Sequence, residues 1–562
     1  MSGRIAISDT LASRLDRVRD DLARTRDPLD HPLGVRFTPL PGARALDAWR
    51  RLAASRAHRD LVLYVHVPFC ARVCSYCLLS ARRSPSRAGL AAYVRALRQE
   101  IALVAPAVRD LEVSTVHVGG GTPTLLTPEE LDAVLGDVLS MFRRAPGFQI
   151  GVEAHPGTSS RARMDALARH GVDRVSLGVE TFTPAVLQHV NRADQSPEDV
   201  RSAVAHARAA GIGAVNLDLL AGLPGETVES FSASVRAALD LAPDAMSVNR
   251  YLAEQSPLAA FGYAPSAADN ALADAMLLAA DAIIHDERPP ARPTRRLDAP
   301  AYGAQYVWDA TGRARAYFQQ DMIGPASVLA LGHGGMGHVH GGAFTTAAGR
   351  PADYVAALDA GALPDVLAWS PPPRFEPAFY VMDRACRGAL SARDFARVFR
   401  APMERVFGEE LAFLAARGLL TRAGDRWEKP AARGFHALHL LAFLLGDAPA
   451  RGALPDAAHV GDAAALTVTG APDDAQRLLD LAAAKPRAVR LTVAHDTDAA
   501  HARDLLRAAS SKRVPVELVP RDDAGQYADI AAELPPSLVW CRLAMRAVES
   551  ARRLAGGATD RV

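Results

Sequence analysis

Three cysteines lie on one short segment and could together hold an iron–sulfur cluster. Cys70, Cys74 and Cys77 follow a C-x3-C-x2-C spacing, and only two other cysteines occur among the 562 residues. Three thiolates on one loop can ligate three irons of a [4Fe–4S] cube and leave the fourth iron without a protein ligand. That open iron is a place where a small molecule can bind.

A disulfide framework and a structural zinc site are the alternatives for these cysteines. Disulfides belong to oxidising compartments and usually to small domains, whereas this chain is long and begins without the apolar core of a signal peptide. Zinc usually takes a second Cys or His pair at a matched distance, and Cys386 and Cys541 are isolated. These points favour the cluster.

The composition is that of a globular protein with more than one domain. Apolar residues make up 49% of the chain, charged residues 23%, and the formal net charge is +1. No general attraction to nucleic acid or to an anionic membrane is therefore expected. No apolar stretch approaches the roughly 20 residues that span a bilayer. The sequence predicts a cytoplasmic protein that binds neither nucleic acid nor membrane.

A glycine motif follows a short predicted strand downstream of the cysteines. Gly119, Gly120 and Gly121 come directly after the strand predicted at 114–118, and Thr122 follows them. Glycines allow the backbone to approach a ligand closely, and exposed amides there can hold a carboxylate or an amine. A tight strand-to-helix turn would use the same residues. The position, one helix and one strand after the cysteines, favours ligand binding.

Strand and helix patterns alternate from residue 61 to residue 251. The predicted strands are 61–66, 114–118, 149–154, 174–178, 214–220 and 245–251. Alternation at this pitch predicts βα units around a parallel sheet. The loops that follow such strands gather at one rim, where the active sites of these barrels lie.

Four segments are predicted along the chain. Residues 1–60 form an N-terminal helical lead-in, residues 61–370 a barrel with an accessory segment, and residues 371–446 a winged-helix-type domain. After a linker, residues 447–562 form an extra α/β module of unknown role without a phosphate-loop or dinucleotide fingerprint. The predicted fold class is α/β, with a partial (β/α) TIM-like barrel followed by a winged-helix-like unit and a small C-terminal α/β module.

Six strings between residues 64 and 251 resemble the radical-SAM superfamily. In chain order they are YVHVPFC, GGGTPTLL, VEAHPGT, RVSLGVETF, NLDLLAGLPGET and SVNRY. Within the superfamily they resemble the HemN-like branch of oxygen-independent coproporphyrinogen III dehydrogenase, the related haem chaperone and the class C methyltransferases. The resemblance implies a barrel of radical-SAM type, a [4Fe–4S] cluster and S-adenosylmethionine, with two molecules of the latter expected. In this family the reduced cluster cleaves the sulfonium and releases a 5′-deoxyadenosyl radical.

The resemblance implies a role for each matching position. Tyr64 and Glu153 match residues at the first S-adenosylmethionine. The glycine motif that binds the methionine moiety is matched by Gly120, Gly121 and Thr122. Contacts to a second S-adenosylmethionine are matched by Glu180, Arg192, Asp218 and Leu252. Met336 falls near the last backbone contact.

The candidate catalytic residues are Glu180 and Tyr76, and Tyr76 matches an aromatic residue beside the nucleoside. Glu153 and Asp218 could instead be barrel-rim carboxylates in salt bridges. A carboxylate at the C-terminal end of a strand faces the site in this architecture, which favours a binding role.

Two positions depart from the dehydrogenase pattern. Leu79 stands where the dehydrogenase has a fourth cysteine, which favours the chaperone and methyltransferase subgroups. Glu180 replaces a glutamine of the family, so an acid takes the place of a neutral amide in the second S-adenosylmethionine region. Such an acid could bind a cation, act as a base or simply be tolerated.

A glycine-rich run contains His333, His338 and His340. Close histidines are compatible with a metal or haem site, with substrate contact or with proton transfer. The resembling branch is also glycine-rich here. We therefore predict a barrel-closing loop whose histidines are solvated.

The sequence predicts a radical-SAM enzyme that uses one S-adenosylmethionine as radical source and a second as methyl or methylene donor. The acceptor would be an sp2 or aromatic carbon of a small molecule in specialised metabolism, with an aromatic or tetrapyrrole substrate. The expected electron donor is a protein such as flavodoxin or ferredoxin. The alternatives are a haem-binding chaperone and a porphyrin oxidative decarboxylase.

Overall fold

The chain forms two compact units, Met1–Ala448 and Pro449–Val562. The computed structural model describes Leu11 and residues 38–54, 60–77, 81–251, 267–286, 295–299, 303–308, 326–339, 344–369, 374–386, 390–428, 440, 443–445, 463–468, 488–493 and 516–519. None of the helices within these ranges is long and apolar enough to cross a membrane.

Strands and helices alternate through most of the first unit. Its strands are β1 (Thr38–Leu40), β2 (Asp60–Val67), β3 (Phe69–Cys70), β4 (Arg82–Arg83), β5 (Glu112–Gly120), β6 (Arg143–Ala154), β7 (Arg174–Glu180), β8 (Ala214–Ala221), β9 (Ala245–Arg250), β10 (Arg295–Ala299), β11 (Gly303–Val307), β12 (Ser327–Leu331), β13 (Met336–His338), β14 (Phe344–Ala347), β15 (Val366–Trp369), β16 (Leu390–Ser391), β17 (Thr421–Ala423) and β18 (Arg426–Glu428). Its α-helices are α1 (Gly42–Ala54), α2 (Arg87–Val104), α3 (Pro128–Met141), α4 (Arg161–Arg169), α5 (Pro184–His189), α6 (Pro197–Ala209), α7 (Val228–Asp240), α8 (Ala267–Asp286), α9 (Pro351–Asp359), α10 (Phe375–Cys386), α11 (Ala392–Phe399) and α12 (Met403–Ala416).

Seven neighbouring strands of a 13-stranded sheet run parallel, in the order β12-β2-β5-β6-β7-β8-β9. Antiparallel strands extend both edges, β11 and β10 on one side and β13, β14, β15 and β1 on the other. The predicted α/β alternation is confirmed. Parallel strands joined by crossovers all end on the same side of the sheet. The residues at their carboxyl ends therefore converge on one rim.

Strand β2 shows how the sequence divides its side chains between the two faces of the sheet. Leu61, Leu63 and Val65 are buried in the main core against the helices, whereas Val62 and Tyr64 belong to a separate cluster on the other face. This two-residue period is that of a pleated strand. It directs Tyr64 away from the helical core and towards the inner face of the sheet.

The helices between these strands begin at strong local signals. Thr127 accepts from Glu130 N while the Glu130 side chain accepts from Thr127 N, which caps the start of α3. Ser196 and Asp199 form the same reciprocal box before α6. Each box satisfies two amide groups that the first turn would otherwise leave without partners.

Three short strands differ from the sequence expectations. The lead-in predicted as helical contains β1, which pairs with β15. The stretch 288–296, predicted as a connection, runs into β10, which forms a hairpin with β11. The glycine-rich run contains β13 between β12 and β14. Each has only three to five residues, and local sequence patterns do not reveal which strands they pair with.

The segment from Arg374 to Glu428 has its own small sheet, in the order β16-β18-β17. Helices α10, α11 and α12 surround an aromatic core that includes Tyr380, Phe395, Phe407 and Trp427. In the second unit, β19 (Ala463–Val468), β20 (Ala488–Val493) and β21 (Val516–Val519) pair in parallel. The helices predicted between them lie outside the described residues.

Candidate functional site

The three motif cysteines lie on the loop that follows β2. All three side chains are partly exposed, and Thr122 Oγ1 donates a hydrogen bond to Cys70 Sγ at 3.2 Å. Burial raises the pKa of the Cys70 thiol, and the Thr122 hydrogen bond opposes that change. Loading iron deprotonates such a thiol.

No group of three His, Cys, Asp or Glu side chains within the described ranges could hold a single metal ion. A single ion binds all its ligands itself, whereas in a [4Fe–4S] cluster each of the three thiolates binds a different iron. Three soft sulfur donors on one partly exposed loop fit such a cluster.

A second segment, residues 190–192, donates and accepts hydrogen bonds with the cysteine loop. Ser75 N donates to Val190 O at 3.1 Å, Asn191 Nδ2 to Val73 O at 2.8 Å, and Arg192 Nη1 to Cys74 Sγ at 3.4 Å. The sequence did not reveal this contact, because more than a hundred residues separate the two segments. The position matched to a second S-adenosylmethionine, Arg192, therefore also contacts a candidate cluster ligand.

The glycine motif packs tightly against the strand that delivers the cysteines. A Cβ atom at Gly120, where φ is +113°, would lie 2.7 Å from the His66 ring, and one at Gly121 would lie 2.7 Å from Phe69 O. Gly121 N and Thr122 N donate to Val67 O and Phe69 O. Close approach of two backbones thus requires Gly121, whereas Gly120 is favoured by its positive φ and by the adjacent His66 ring. Their contact with methionine stays a prediction.

Glu153 is held as a carboxylate at the end of β6. His117 Nε2 lies 3.1 Å from Glu153 Oε1, and Gly120 N donates to Oε2 at 3.0 Å. Burial raises the pKa of Glu153, but the His117 hydrogen bond and charge and the Gly120 amide outweigh it, and the net pKa is lowered. This contact with His117 is compatible with the alternative interpretation, in which Glu153 is a rim carboxylate paired within the protein. With its side chain 35% exposed, Glu153 remains accessible to a ligand.

Tyr64 lies beside this carboxylate on β2. Its hydroxyl is 2.8 Å from His66 Nδ1, and its ring stacks on His117 at a centroid distance of 5.9 Å. Burial raises the pKa of Tyr64 well above its ordinary value, and the charge of Glu153 adds to the effect. His117 was missed by the sequence interpretation. Its position two residues before Gly119, on the inner face of β5, could have identified it.

A second acidic group lies at the end of β7. Glu180 has φ of +65°, and its Oε1 is 3.9 Å from Arg192 Nη2, which also donates to Gly178 O. Burial raises the pKa of Glu180 to about 7, with Arg192 opposing and Asp218 adding to the change. Burial also raises the pKa of Tyr76 well above its ordinary value.

Asp218 completes this group on β8. Asn216 Nδ2 donates to Asp218 Oδ1 at 2.8 Å. Burial raises the pKa of Asp218 despite the opposing charge of Arg174. The charges of Glu153, Glu180 and Asp218 influence one another, so the structure brings the three predicted carboxyl groups together at one rim.

The two remaining predicted contacts are Leu252 and Met336. Leu252 lies outside the described residues. The Met336 side chain is 40% exposed, and its backbone pairs with Thr346 in β13 and β14. The start of the same run approaches the cysteine strand instead, because a Cβ atom at Gly335 would lie 3.2 Å from His66 Cβ.

The prediction that the histidines of the glycine-rich run are solvated is wrong for the two that the structure describes. His333 is buried, with Nε2 2.9 Å from Gly349 O. His338 is buried, with Nε2 2.7 Å from Glu376 Oε1. These partners come from later in the chain, so the run itself does not show them. His340 and Leu79 lie outside the described residues.

Comparisons with known proteins agree with this geometry. Residues 64–238 match the Radical SAM superfamily. The oxygen-independent coproporphyrinogen III oxidase of Bradyrhizobium diazoefficiens is 39% identical over 222 residues, which cover 39% of this chain and 49% of the relative. That of Paracoccus denitrificans is 37% identical over 243 residues, 42% of this chain and 52% of the relative. The chain thus spans about half the length of these curated relatives.

A solved structure extends the likeness beyond this stretch. It is coproporphyrinogen III oxidase (HemN) from Escherichia coli, which is a radical-SAM enzyme. It superposes with a TM-score of 0.57 at 22% identity and covers 71% of this chain and 93% of that one. At this identity the likeness shows the fold alone, which is the α/β radical-SAM fold.

Proposed function

Because residues 64–238 are a radical-SAM domain of the HemN-like branch, whose cofactors are a [4Fe–4S] cluster and S-adenosylmethionine, we propose that this chain is a two-site radical-SAM enzyme. Cys70, Cys74 and Cys77 would hold the cluster. When bound, the cluster supplies the electron that reductively cleaves S-adenosylmethionine into methionine and a 5′-deoxyadenosyl radical.

Glu153 would orient the first S-adenosylmethionine. Its carboxylate is charged before the ligand arrives, because His117 and Gly120 N already hold both oxygens. Each oxygen has a further lone pair that can accept a hydrogen bond from the ligand's ammonium group. Such charge-assisted hydrogen bonds are stronger than neutral ones, so Glu153 would fix the amino-acid end of the ligand.

The observation that carries the second site is Glu180, which lies 3.9 Å from Arg192, together with Asp218, whose charge acts on Glu180. Burial raises the pKa of both acids, so neither carboxylate is fully stabilised by the groups around it. S-adenosylmethionine carries a sulfonium, an ammonium and one carboxylate. A cationic ligand would stabilise the ionised acids, and Arg192 would pair with its carboxylate. The charge pattern therefore supports a second S-adenosylmethionine here.

We propose that this second molecule donates a methyl or methylene group to an sp2 or aromatic carbon of a small-molecule substrate in specialised metabolism. Glu180 would be the base, because a carboxyl group with a pKa of about 7 can accept a proton near neutral pH. Tyr76 stays protonated at neutral pH, because burial raises its pKa well above the ordinary value, and would place its aromatic ring beside the nucleoside.

The test is product analysis under anaerobic conditions. Cluster-loaded protein is reduced with S-adenosylmethionine and a panel of aromatic and tetrapyrrole substrates. We expect methionine and 5′-deoxyadenosine in every reaction, and S-adenosylhomocysteine with an accepted substrate. Consumption of a substrate with 5′-deoxyadenosine but without S-adenosylhomocysteine would exclude methyl transfer. Absence of 5′-deoxyadenosine would exclude radical generation altogether.

Oxidative decarboxylation of a tetrapyrrole is the second candidate, and the curated relatives favour it because they are coproporphyrinogen III oxidases. It predicts that coproporphyrinogen III is consumed with release of CO2 and without S-adenosylhomocysteine. No comparable observation favours a haem chaperone, since the described histidines of the glycine-rich run already have protein partners.

We also propose the predicted organisation into segments 1–60, 61–370, 371–446 and 447–562, with residues 371–446 as the winged-helix-type domain. The order α10-β16-α11-α12-β17-β18 supports that assignment. Residues 447–562 would recognise a substrate or a partner, or dimerise the chain. A cytoplasmic location suits an oxygen-sensitive cluster.

A further inference from the structure

The segment around the cysteines has a charge that the whole chain does not share. The formal net charge of the chain is +1, yet the 39 residues from Leu61 to Gln99 contain six arginines and no acidic residue. Three of these arginines have carboxylate partners elsewhere: Arg87 with Glu130, Arg95 with Asp359 and Arg98 with Asp137.

The other three arginines are Arg72, Arg82 and Arg83, which we call the loop arginines. Among the described residues, no carboxylate forms an ion pair with any of them. Arg72 is exposed and donates only to the neutral Asn191 Oδ1, at 3.2 Å. The buried Nε of Arg82 has no acceptor in the described part of the chain. Uncompensated cations at a surface attract an anionic partner.

The loop arginines lie where the cysteine loop meets solvent. Arg72 stands between Cys70 and Cys74 in the chain. Strand β4 pairs with β3 so that Arg83 lies opposite Cys70, and Ser84 N donates to Cys70 O at 2.8 Å. The three thiol side chains are themselves partly exposed. A molecule bound to the loop arginines would therefore sit against the cluster loop.

We propose that the loop arginines form the docking surface for a small acidic protein that donates one electron at a time. This inference rests on the proposed function, because only a cluster that cycles between two redox states needs such a donor. The donor loses one electron, and that electron is consumed in breaking the carbon–sulfur bond of S-adenosylmethionine. Opposite charges would steer the encounter and raise its rate, an effect that salt screens.

The experiment compares a protein reductant with a small one on the full-length, cluster-loaded protein. Formation of 5′-deoxyadenosine is measured with reduced flavodoxin, an acidic protein, and with reduced methyl viologen, a small cation. The variant carries Arg82→Glu and Arg83→Glu. The control is Arg109→Glu, an exposed arginine just before β5, at the opposite edge of the sheet.

We expect the double variant to raise the KM for flavodoxin by about tenfold or more and to leave the rate with methyl viologen within about twofold. Arg109→Glu should change neither by more than about twofold. For the wild type, raising the ionic strength should slow the flavodoxin reaction at low donor concentration and spare the methyl viologen reaction. Unchanged KM for flavodoxin in the double variant, or an equal rise in the control, overturns the proposal.

A binding measurement separates this proposal from the proposed function. Binding of oxidised flavodoxin, followed by its flavin fluorescence, should weaken by about tenfold in the double variant. If this occurs while no reductant yields 5′-deoxyadenosine, docking stands and radical generation fails. If flavodoxin binding is unchanged while a carboxylated porphyrin binds more weakly, the arginines serve an anionic substrate and the proposal is wrong. If the double variant loses iron, the single variant Arg83→Gln replaces it. Its iron content is measured first, and the same flavodoxin-binding assay then tests the proposal.

Discussion

Glu153 and Glu180 end neighbouring parallel strands, yet the protein holds their carboxyl groups in opposite states. Glu153 has a histidine and a backbone amide on its two oxygens, and its pKa is lowered. Glu180 has Arg192 at 3.9 Å and another acid, Asp218, nearby, and burial raises its pKa to about 7. A glutamate at a strand end can therefore be either a preformed carboxylate or a group that awaits a cation, meaning an acid that would ionise fully only when a cation binds beside it.

The two residues also differ in backbone conformation. Glu153 lies within regular strand β6, whereas Glu180 adopts a left-handed conformation with φ of +65°. Side chains other than glycine rarely adopt this conformation, and such strain is found where the surrounding structure enforces it. Thr181 N donates to Val179 O across this residue. The turn directs Glu180 towards Arg192 rather than along the strand.

Replacing Cys74 with alanine should have the largest effect, because it removes the cluster on which both sites depend. We expect loss of bound iron and of 5′-deoxyadenosine formation. Cys541→Ala, a cysteine outside the motif, is the matched control and should keep both. Iron content and product are measured on anaerobically loaded protein. Cleavage of S-adenosylmethionine retained by Cys74→Ala would contradict the assignment of the cluster.

Glu153→Gln tests the preformed carboxylate. The amide keeps the shape but loses the charge and cannot accept from Gly120 N and His117 as the carboxylate does. Charge-assisted hydrogen bonds contribute about 1.5–3 kcal/mol each, so affinity for the first S-adenosylmethionine should fall roughly 100-fold. Equilibrium dialysis with radiolabelled ligand measures this. Glu112→Gln, at the opposite end of the strands, should leave the affinity unchanged, and a similar loss there would point to general destabilisation.

Glu180→Gln tests the group that awaits a cation, through its dependence on pH. With a pKa of about 7, Glu180 is roughly one-tenth ionised at pH 6 and nine-tenths at pH 8. A cationic second ligand should therefore bind the wild type up to about tenfold more tightly at pH 8 than at pH 6. In Glu180→Gln that difference should disappear. Glu100→Gln removes another buried acid whose pKa burial raises to about 7, and it should keep the difference.

The remaining prediction concerns the unfolding temperature of the ligand-free protein. The folded-state pKa of Glu180, about 7, exceeds its ordinary value of 4.5, so the folded state binds the proton more tightly than the unfolded state. Stability should fall as pH rises from about 4.5 to 7, and above pH 7 the ionised acid costs on the order of 3 kcal/mol. Glu180→Gln should therefore unfold a few degrees higher than the wild type at pH 8 and equally at pH 4. A higher temperature at both pH values would mean that packing, and not charge, explains it.

The sequence placed the candidate residues better than it described their states. The family resemblance singled out Glu153, Glu180 and Asp218, and the strand patterns put Glu153 and Asp218 at strand ends. The structure brings all three to one rim. Their opposite pKa changes depend on His117, Gly120 and Arg192, which come from other strands and loops. The chain order does not show which of these partners face each acid.

Partners that are distant in the sequence also explain the other errors of the sequence analysis. His333 and His338 sit among flexible glycines in the sequence, but Gly349 and Glu376 bind them in the fold. Strands β1 and β10 are too short for a periodic pattern to predict, since their pairing partners supply most of their stability. Long-range partners, not local propensity, account for what the sequence analysis missed.

The number of S-adenosylmethionine molecules bound to each cluster-loaded chain tests the central claim most directly. Equilibrium dialysis at pH 8 should give two for the wild type and one for Glu180→Lys, because a lysine at that position repels the second cationic ligand. A single molecule bound to the wild type, or two bound to both proteins, would contradict the account.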